Sequence, residues 1–222
     1  MHTLKSNVFL TPTANSQNTV LCSECPSYIQ EGAHGESIIP LRSKLLSDRN
    51  IFVTEPITSE HAVNFVQQLM YLSKTDQPVN VYINSPGGEV TAGLLMYDAI
   101  QSFENELNII CLGQAASMAA VLLAAGQKGR RYITPHGKVM IHEVLVNGGI
   151  GGSATSISKF SESILETRDL VNGILAKHTD KSLEEINKET SFDNFMNAEK
   201  SVEFGICDKI TDNLFNIKGE KA

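Results

Sequence analysis

The sequence has no tryptophan, only four cysteines among 222 residues, and few charges: 18 lysines and arginines against 25 aspartates and glutamates, 19% of the chain. An ordinary soluble domain carries about 25% charge, so part of this surface is expected to face protein rather than water. The balance is −7 with a pI near 5.4, and the longest basic cluster is Arg130-Arg131. The electrostatic footprint of a nucleic-acid-binding protein is missing. Near the start the only apolar run is Val8-Phe9-Leu10, and the first arginine is Arg42. Neither a secretory nor a mitochondrial leader fits, and the expected location is cytoplasmic.

The cysteines point away from metal and redox chemistry. Cys111 and Cys207 lie in apolar, strand-like runs and read as core thiols, while Cys22 and Cys25 form a single Cys-x-x-Cys without a second pair. A structural zinc needs four ligands, so no metal site is expected in one chain. The stretch 107–127 has no charge and is long enough to raise the question of a membrane span. It contains Asn108, Gly113, Gln114, Ser117 and many alanines, and reads instead as a buried strand, a turn and a helix.

Along the chain, residues 1–40 are poor in charge and rich in Ser, Thr, Asn and Gly. They read as an N-terminal arm. Short apolar runs at 51–53, 79–83, 108–112, 131–133, 138–141 and 207–210 predict strands. Apolar residues at helical spacing predict helices over 59–74 with Ser59 as N-cap, over 89–101, over 117–125 and over 153–178. Strands alternating with helices argue an α/β fold with mainly parallel pairing, because parallel strands need a crossover.

Two strand-to-helix transitions contain glycine or alanine turns. In Asn84-Ser85-Pro86-Gly87-Gly88-Glu89 the tight turn leaves backbone N–H groups able to face an anion, although such a sequence is commonly only a turn. In Gly113-Gln114-Ala115-Ala116-Ser117-Met118-Ala119-Ala120 the serine either caps the helix or acts as a nucleophile beside the Met118 N–H. Six histidines compete as its base. His142 ends a strand and precedes the Gly-rich stretch 147–152, where catalytic groups gather, whereas His61 and His178 read as helical residues with solvated neighbours. The residues alone single out no acid among the 25 carboxylates.

Ser-Pro-Gly-Gly at 85–88, Gly-Gln-Ala-Ala-Ser-Met-Ala-Ala at 113–120, Met-Ile-His at 140–142, Asp193-Asn-Phe and the segment 198–208 occur in the order and spacing of one family. Over about 41–210 the chain resembles the Clp protease proteolytic subunit. The resemblance implies a ClpP/crotonase-type α/β fold of stacked strand–strand–helix units with a protruding handle at about 143–178. It also implies a peptidase domain over 41–212 between the arm and a tail at 213–222, the arm holding an axial pore segment and any propeptide.

By the same resemblance, Ser117 is the nucleophile, His142 the general base and acid, and Asp193 the carboxylate that orients the imidazole. The oxyanion hole falls on the backbone N–H groups of Gly88 and Met118. The implied assembly is a tetradecamer of two stacked seven-membered rings, fed with unfolded protein by an AAA+ unfoldase. ATP is used by that partner, and no cofactor is implied for this chain. The competing expectation is a weakly active or inactive ring subunit that scaffolds an active paralogue; an acyl-CoA enzyme of the related crotonase type lacks any sign of a CoA pocket. The sequence departs from the family pattern at Val144, where proline is common, in the length of the Gly-rich stretch, and at Ser191-Phe192, where the family commonly has Asp-Arg in ring-to-ring ion pairs.

Overall fold

A computed structural model describes residues 26–32, 35–146, 148 and 151–214. The chain divides into two compact units, Met1–Asn50 and Ile51–Ala222. In the first, β1 (Ser27–Gly32) pairs antiparallel with β2 (Gly35–Pro40), and α1 (Leu41–Ser47) follows. This hairpin was not expected within the N-terminal arm of residues 1–40. Its apolar residues come as doublets, Tyr28-Ile29 and Ile38-Ile39, rather than in alternation. They become a strand signal only when paired across the hairpin, Tyr28 with Ile39 and Ile29 with Ile38. Cys22, Cys25 and His34 lie outside the described residues.

The second unit is an α/β layer structure. In chain order come β3 (Asn50–Val53), α2 (Ser59–Leu72), β4 (Val79–Ser85), α3 (Val90–Gln101), β5 (Leu107–Ala116), α4 (Met118–Ala124), β6 (Arg131–Ile133) and β7 (Lys138–Ile141). Then follow α5 (Ala154–Thr179), α6 (Leu183–Thr190), β8 (Asn194–Met196), α7 (Ala198–Phe204) and β9 (Lys209–Ile210). The sheet runs β3-β4-β5-β6-β9, with β7 joined to β5 and β8 to β7. The pairs β4–β5, β5–β6, β5–β7 and β6–β9 are parallel, and β7–β8 is antiparallel.

The uncharged stretch 107–127 is the centre of this core. Leu107 to Cys111 are buried in β5, and all seven residues of α4 are buried against β5, α3 and α5. A run of side chains with no charged partner within reach stays uncharged when it is buried, because desolvating an unpaired charge is expensive. No helix among the described residues is long and apolar enough to cross a membrane. The predicted strands are found with changes of length: β3 begins one residue earlier at Asn50, β4 extends to Ser85, β5 runs from Leu107 to Ala116, and β9 shortens to Lys209–Ile210. The N-cap of α2 is Thr58, whose hydroxyl accepts from the His61 N–H, while Ser59 donates to the Glu89 carboxylate at 2.8 Å.

One half of α5 stands clear of the unit. No residue from 151 to 170 is buried, although Ile157, Phe160, Leu165 and Leu170 are apolar, whereas Val171, Asn172, Ile174, Leu175 and Thr179 pack into the core.

Where the helices end, Arg131 joins them. Its guanidinium, on a residue only 2% exposed, donates from Nη1 to the carbonyls of Ala124 (3.2 Å), His178 (2.9 Å) and Gly205 (2.9 Å). Those carbonyls belong to the C-terminal ends of α4, α5 and α7, which lack intrahelical partners and carry the negative end of the helix dipole. Nε and Nη2 grip both oxygens of Asp208, at 3.0 and 2.5 Å. Burial pushes the Asp208 carboxyl up, but the hydrogen bonds and charge of Arg131 outweigh it and hold it below the ordinary range.

His178 sits beside this junction rather than among solvated neighbours. Its Nε2 lies 3.2 Å from the Tyr97 hydroxyl, and burial, together with the charges of Lys177 and Arg131, pushes its pKa down to about 4.

Arg131→Met leaves Asp208 and three carbonyls unpaired and is expected to cost about 3–5 kcal/mol, measurable by urea titration. His178 stays neutral in the folded chain from its ordinary 6.5 down to about 4, while the unfolded chain takes up a proton in that window. Stability therefore falls as pH drops through it. Thermal melts at pH 7 and pH 5 are expected to show this loss, with a smaller difference in His178→Gln.

Candidate active site

The two glycine- or alanine-containing turns meet at the C-terminal ends of β4 and β5, and the sheet register brings the remaining candidates beside them. Parallel pairing sets Ser85 against Ala115 and Ala116 against Met140. Ser117 therefore follows β5 where His142 follows β7, and the Ser117 N–H donates to the Met140 carbonyl at 2.8 Å. Antiparallel pairing sets Ile141 against Asn194, so His142 and Asp193 are the next residues beyond that last pair. Three residues far apart in sequence thus stand in a row across the ends of three strands.

Ser117 has the backbone of a strained corner, with φ 54° and ψ −126°. A non-glycine residue in that region costs about 1–3 kcal/mol, which persists only where the surroundings hold it. Its hydroxyl makes no capping bond to α4, so the reading of Ser117 as a helix cap does not hold.

The Ser-Pro-Gly-Gly turn closes over this corner. The buried Ser85 hydroxyl donates to the Glu55 carbonyl at 2.7 Å and accepts from the Gly87 N–H at 3.2 Å. Ile57 donates to the Gly87 carbonyl (2.8 Å) and accepts from the Glu89 N–H (2.9 Å). Since successive backbone groups of an extended segment alternate in direction, the Gly88 N–H points to the side away from Ile57. Gly87, at φ 90°, has no room for a side chain: a methyl there would lie 2.5 Å from the Ala116 carbonyl oxygen and 2.7 Å from Ser117 Cβ. Among the described residues neither the Gly88 nor the Met118 N–H has a backbone acceptor. The arrangement leaves two free donors beside a serine hydroxyl.

A cavity of about 220 Å³ opens here, lined by Gly88, Ser117, Met118 and His142 and walled by apolar side chains including Val90, Val121, Val171 and Leu175. Glu143 and Leu145 line it from the segment after His142, and Arg168 of α5 pairs with the Glu143 carboxylate at 3.6 Å. Asp193 is exposed and does not line the cavity, and next to it Phe192 is 84% exposed. His142 Nδ1 is buried with no hydrogen-bond partner. Among the described residues no hydrogen bond links Ser117 to His142 or His142 to Asp193. Backbone register unites the row; side-chain bonds do not yet close it.

A sequence model of the Clp protease family matches residues 33–214. The chain belongs to the Clp protease family. It is accordingly a peptidase of the serine hydrolase type, and its mixed α/β architecture with a parallel sheet is that of the family. Sequence reasoning named Ser85 only as part of the turn motif and missed Glu55 and Ile57; together the three hold the Clp protease turn in place. Ser85 carried a signal, a small polar residue ending a buried strand; the two carbonyl contacts carried none, because they involve backbone atoms of a loop. Cys111 and Cys207 are buried free thiols, and desolvation pushes that of Cys111 up to about 12 and that of Cys207 higher still, so neither supplies a thiolate near pH 7.

Gly87→Ala puts a methyl against the Ala116 carbonyl and Ser117 itself. Peptide turnover is expected to fall by about tenfold or more while the melting temperature changes only modestly, a contrast to be measured on the purified protein.

Proposed function

We propose that the chain is the proteolytic subunit of an ATP-dependent endopeptidase that hydrolyses unfolded proteins to small peptides in protein quality control in the cytoplasm. Ser117 attacks the scissile carbonyl, and His142 takes its proton and returns it to the leaving amine. Asp193 accepts from the imidazole Nδ1–H, and the N–H groups of Gly88 and Met118 receive the oxyanion. The observation that carries this reading is the strand register: Ala116 pairs with Met140 and Ile141 with Asn194, so that Ser117, His142 and Asp193 each sit one residue beyond a paired strand end. The strained Ser117 backbone and the unpaired, buried His142 Nδ1 support it.

Two stacked seven-membered rings are the proposed assembly, with residues 41–212 as the peptidase domain, an axial pore segment before it and a Clp-type AAA+ unfoldase as the partner that uses ATP. This chain takes no metal or cofactor. The low charge content and the apolar, solvent-facing half of α5 support burial against other subunits. A second reading, a weakly active ring subunit that scaffolds an active paralogue, draws on one observation: Asp193 is exposed and His142 Nδ1 unpaired.

A fluorophosphonate is expected to label the assembled protein at Ser117, with labelling lost in Ser117→Ala and peptide turnover down by about four to six orders of magnitude. Asp193→Asn is expected to lose about 10⁴-fold in kcat with assembly intact. Absence of labelling in assembled rings would favour the scaffold reading.

A further inference from the structure

Gly93 lies in the interior of α3, outside both turns, at a place where glycine is a poor choice. An interior helical glycine costs about 1 kcal/mol relative to alanine, and its residue is buried, so exposure does not explain it. What occupies the space of its missing side chain is Met118. A methyl on Gly93 would lie 2.5 Å from Met118 Cε, 3.1 Å from Cβ and 3.2 Å from Cγ. The terminal Cε of a methionine swings aside at small cost. Cβ cannot, because it is bonded directly to the Met118 backbone, whose N–H has no backbone acceptor among the described residues.

On its other side the Met118 backbone is bounded by Gly87, whose bare Cα leaves a methyl-sized position 3.0 Å from the Met118 nitrogen. Residue 118 is thus seated between two glycines, one at its amide and one at its side chain, and is itself only 2% exposed. Close-packed interiors transmit such displacements rather than absorbing them.

We infer that Gly93 is a positioning residue of the peptidase: its lack of a side chain seats Met118 against α3 and thereby sets where the Met118 N–H points. The inference rests on the assignment of that N–H to the oxyanion hole. A donor acts on the transition state only within about 2.7–3.1 Å of the oxyanion, so a shift of a few tenths of an ångström weakens turnover more than substrate binding. The seat belongs to the chemistry step.

The test uses the assembled full-length protein, peptide turnover and fluorophosphonate labelling. Gly93→Ala is expected to lower kcat by about tenfold or more with KM within about twofold, and to slow labelling in parallel. Shortening the obstructing side chain, in Gly93→Ala/Met118→Ala, is expected to recover at least part of that loss relative to Gly93→Ala alone, which a general weakening of α3 would not do. Gly93→Ala with kcat within twofold of wild type overturns the inference, as does a double variant no better than the single one. Where Gly93→Ala fails to fold, the double variant is expected to fold and turn over substrate, and its failure to fold overturns the inference too. A wild type that turns over peptide and labels at Ser117, with Gly93→Ala indistinguishable from it, leaves the peptidase reading standing and removes only this one. A wild type that does not label removes both.

Discussion

A single strand serves two neighbours in succession, and the site is a product of that change. The first half of β5, Ile109 to Cys111, pairs with β6; the second half, Gln114 to Ala116, pairs with β7. Between them the strand passes Gly113, where a methyl would lie 2.8 Å from the Asn84 side-chain oxygen, and Gln114 donates its N–H to that oxygen at 3.2 Å. The register with β4 shifts at the same level. Once β5 has left β6, its end is free to meet β7, and Ser117 follows directly. The backbone strain at φ 54° is held there by pairing on both sides.

Space in the site is made chiefly by atoms that are missing. Gly87 lets the Ser-Pro-Gly-Gly turn pass within contact distance of Ser117, Gly88 fits against Ile57, where a methyl would lie 2.1 Å from its carbonyl oxygen, and Gly93 receives the Met118 side chain. Arg131 works in the opposite sense. It fills a void with charge where three helix ends converge, so that the helix carrying the first free amide, α4, is anchored at its far end. Rigidity at one end of a short buried helix gives precision at the other.

How much of this was legible beforehand depends on the range of the interaction. The uncharged stretch 107–127 disclosed β5 and α4 because burial acts on each residue separately. Helix and strand periods located most other elements for the same local reason. The hairpin over 27–40 escaped because its doublets make sense only as cross-strand pairs, and Arg131 read merely as half of a small basic cluster because its acceptors are backbone carbonyls of three distant segments. The acid shows the limit most clearly. No local property separates Asp193 from the other carboxylates; the motif resemblance proposed it, and the antiparallel register of β7 with β8, Ile141 against Asn194, is what brings its segment to the end of β7.

That register also bears on the order in which danger arises while the protein is being made. Chain emerging from a ribosome presents Ser117 first, then His142, and Asp193 with the β8 that follows it only after the long α5 has been completed. Until β8 has folded back onto β7, the row across the strand ends has no third member. On the roles proposed for Ser117, His142 and Asp193, a nascent subunit lacks its orienting carboxylate until that last pairing has formed.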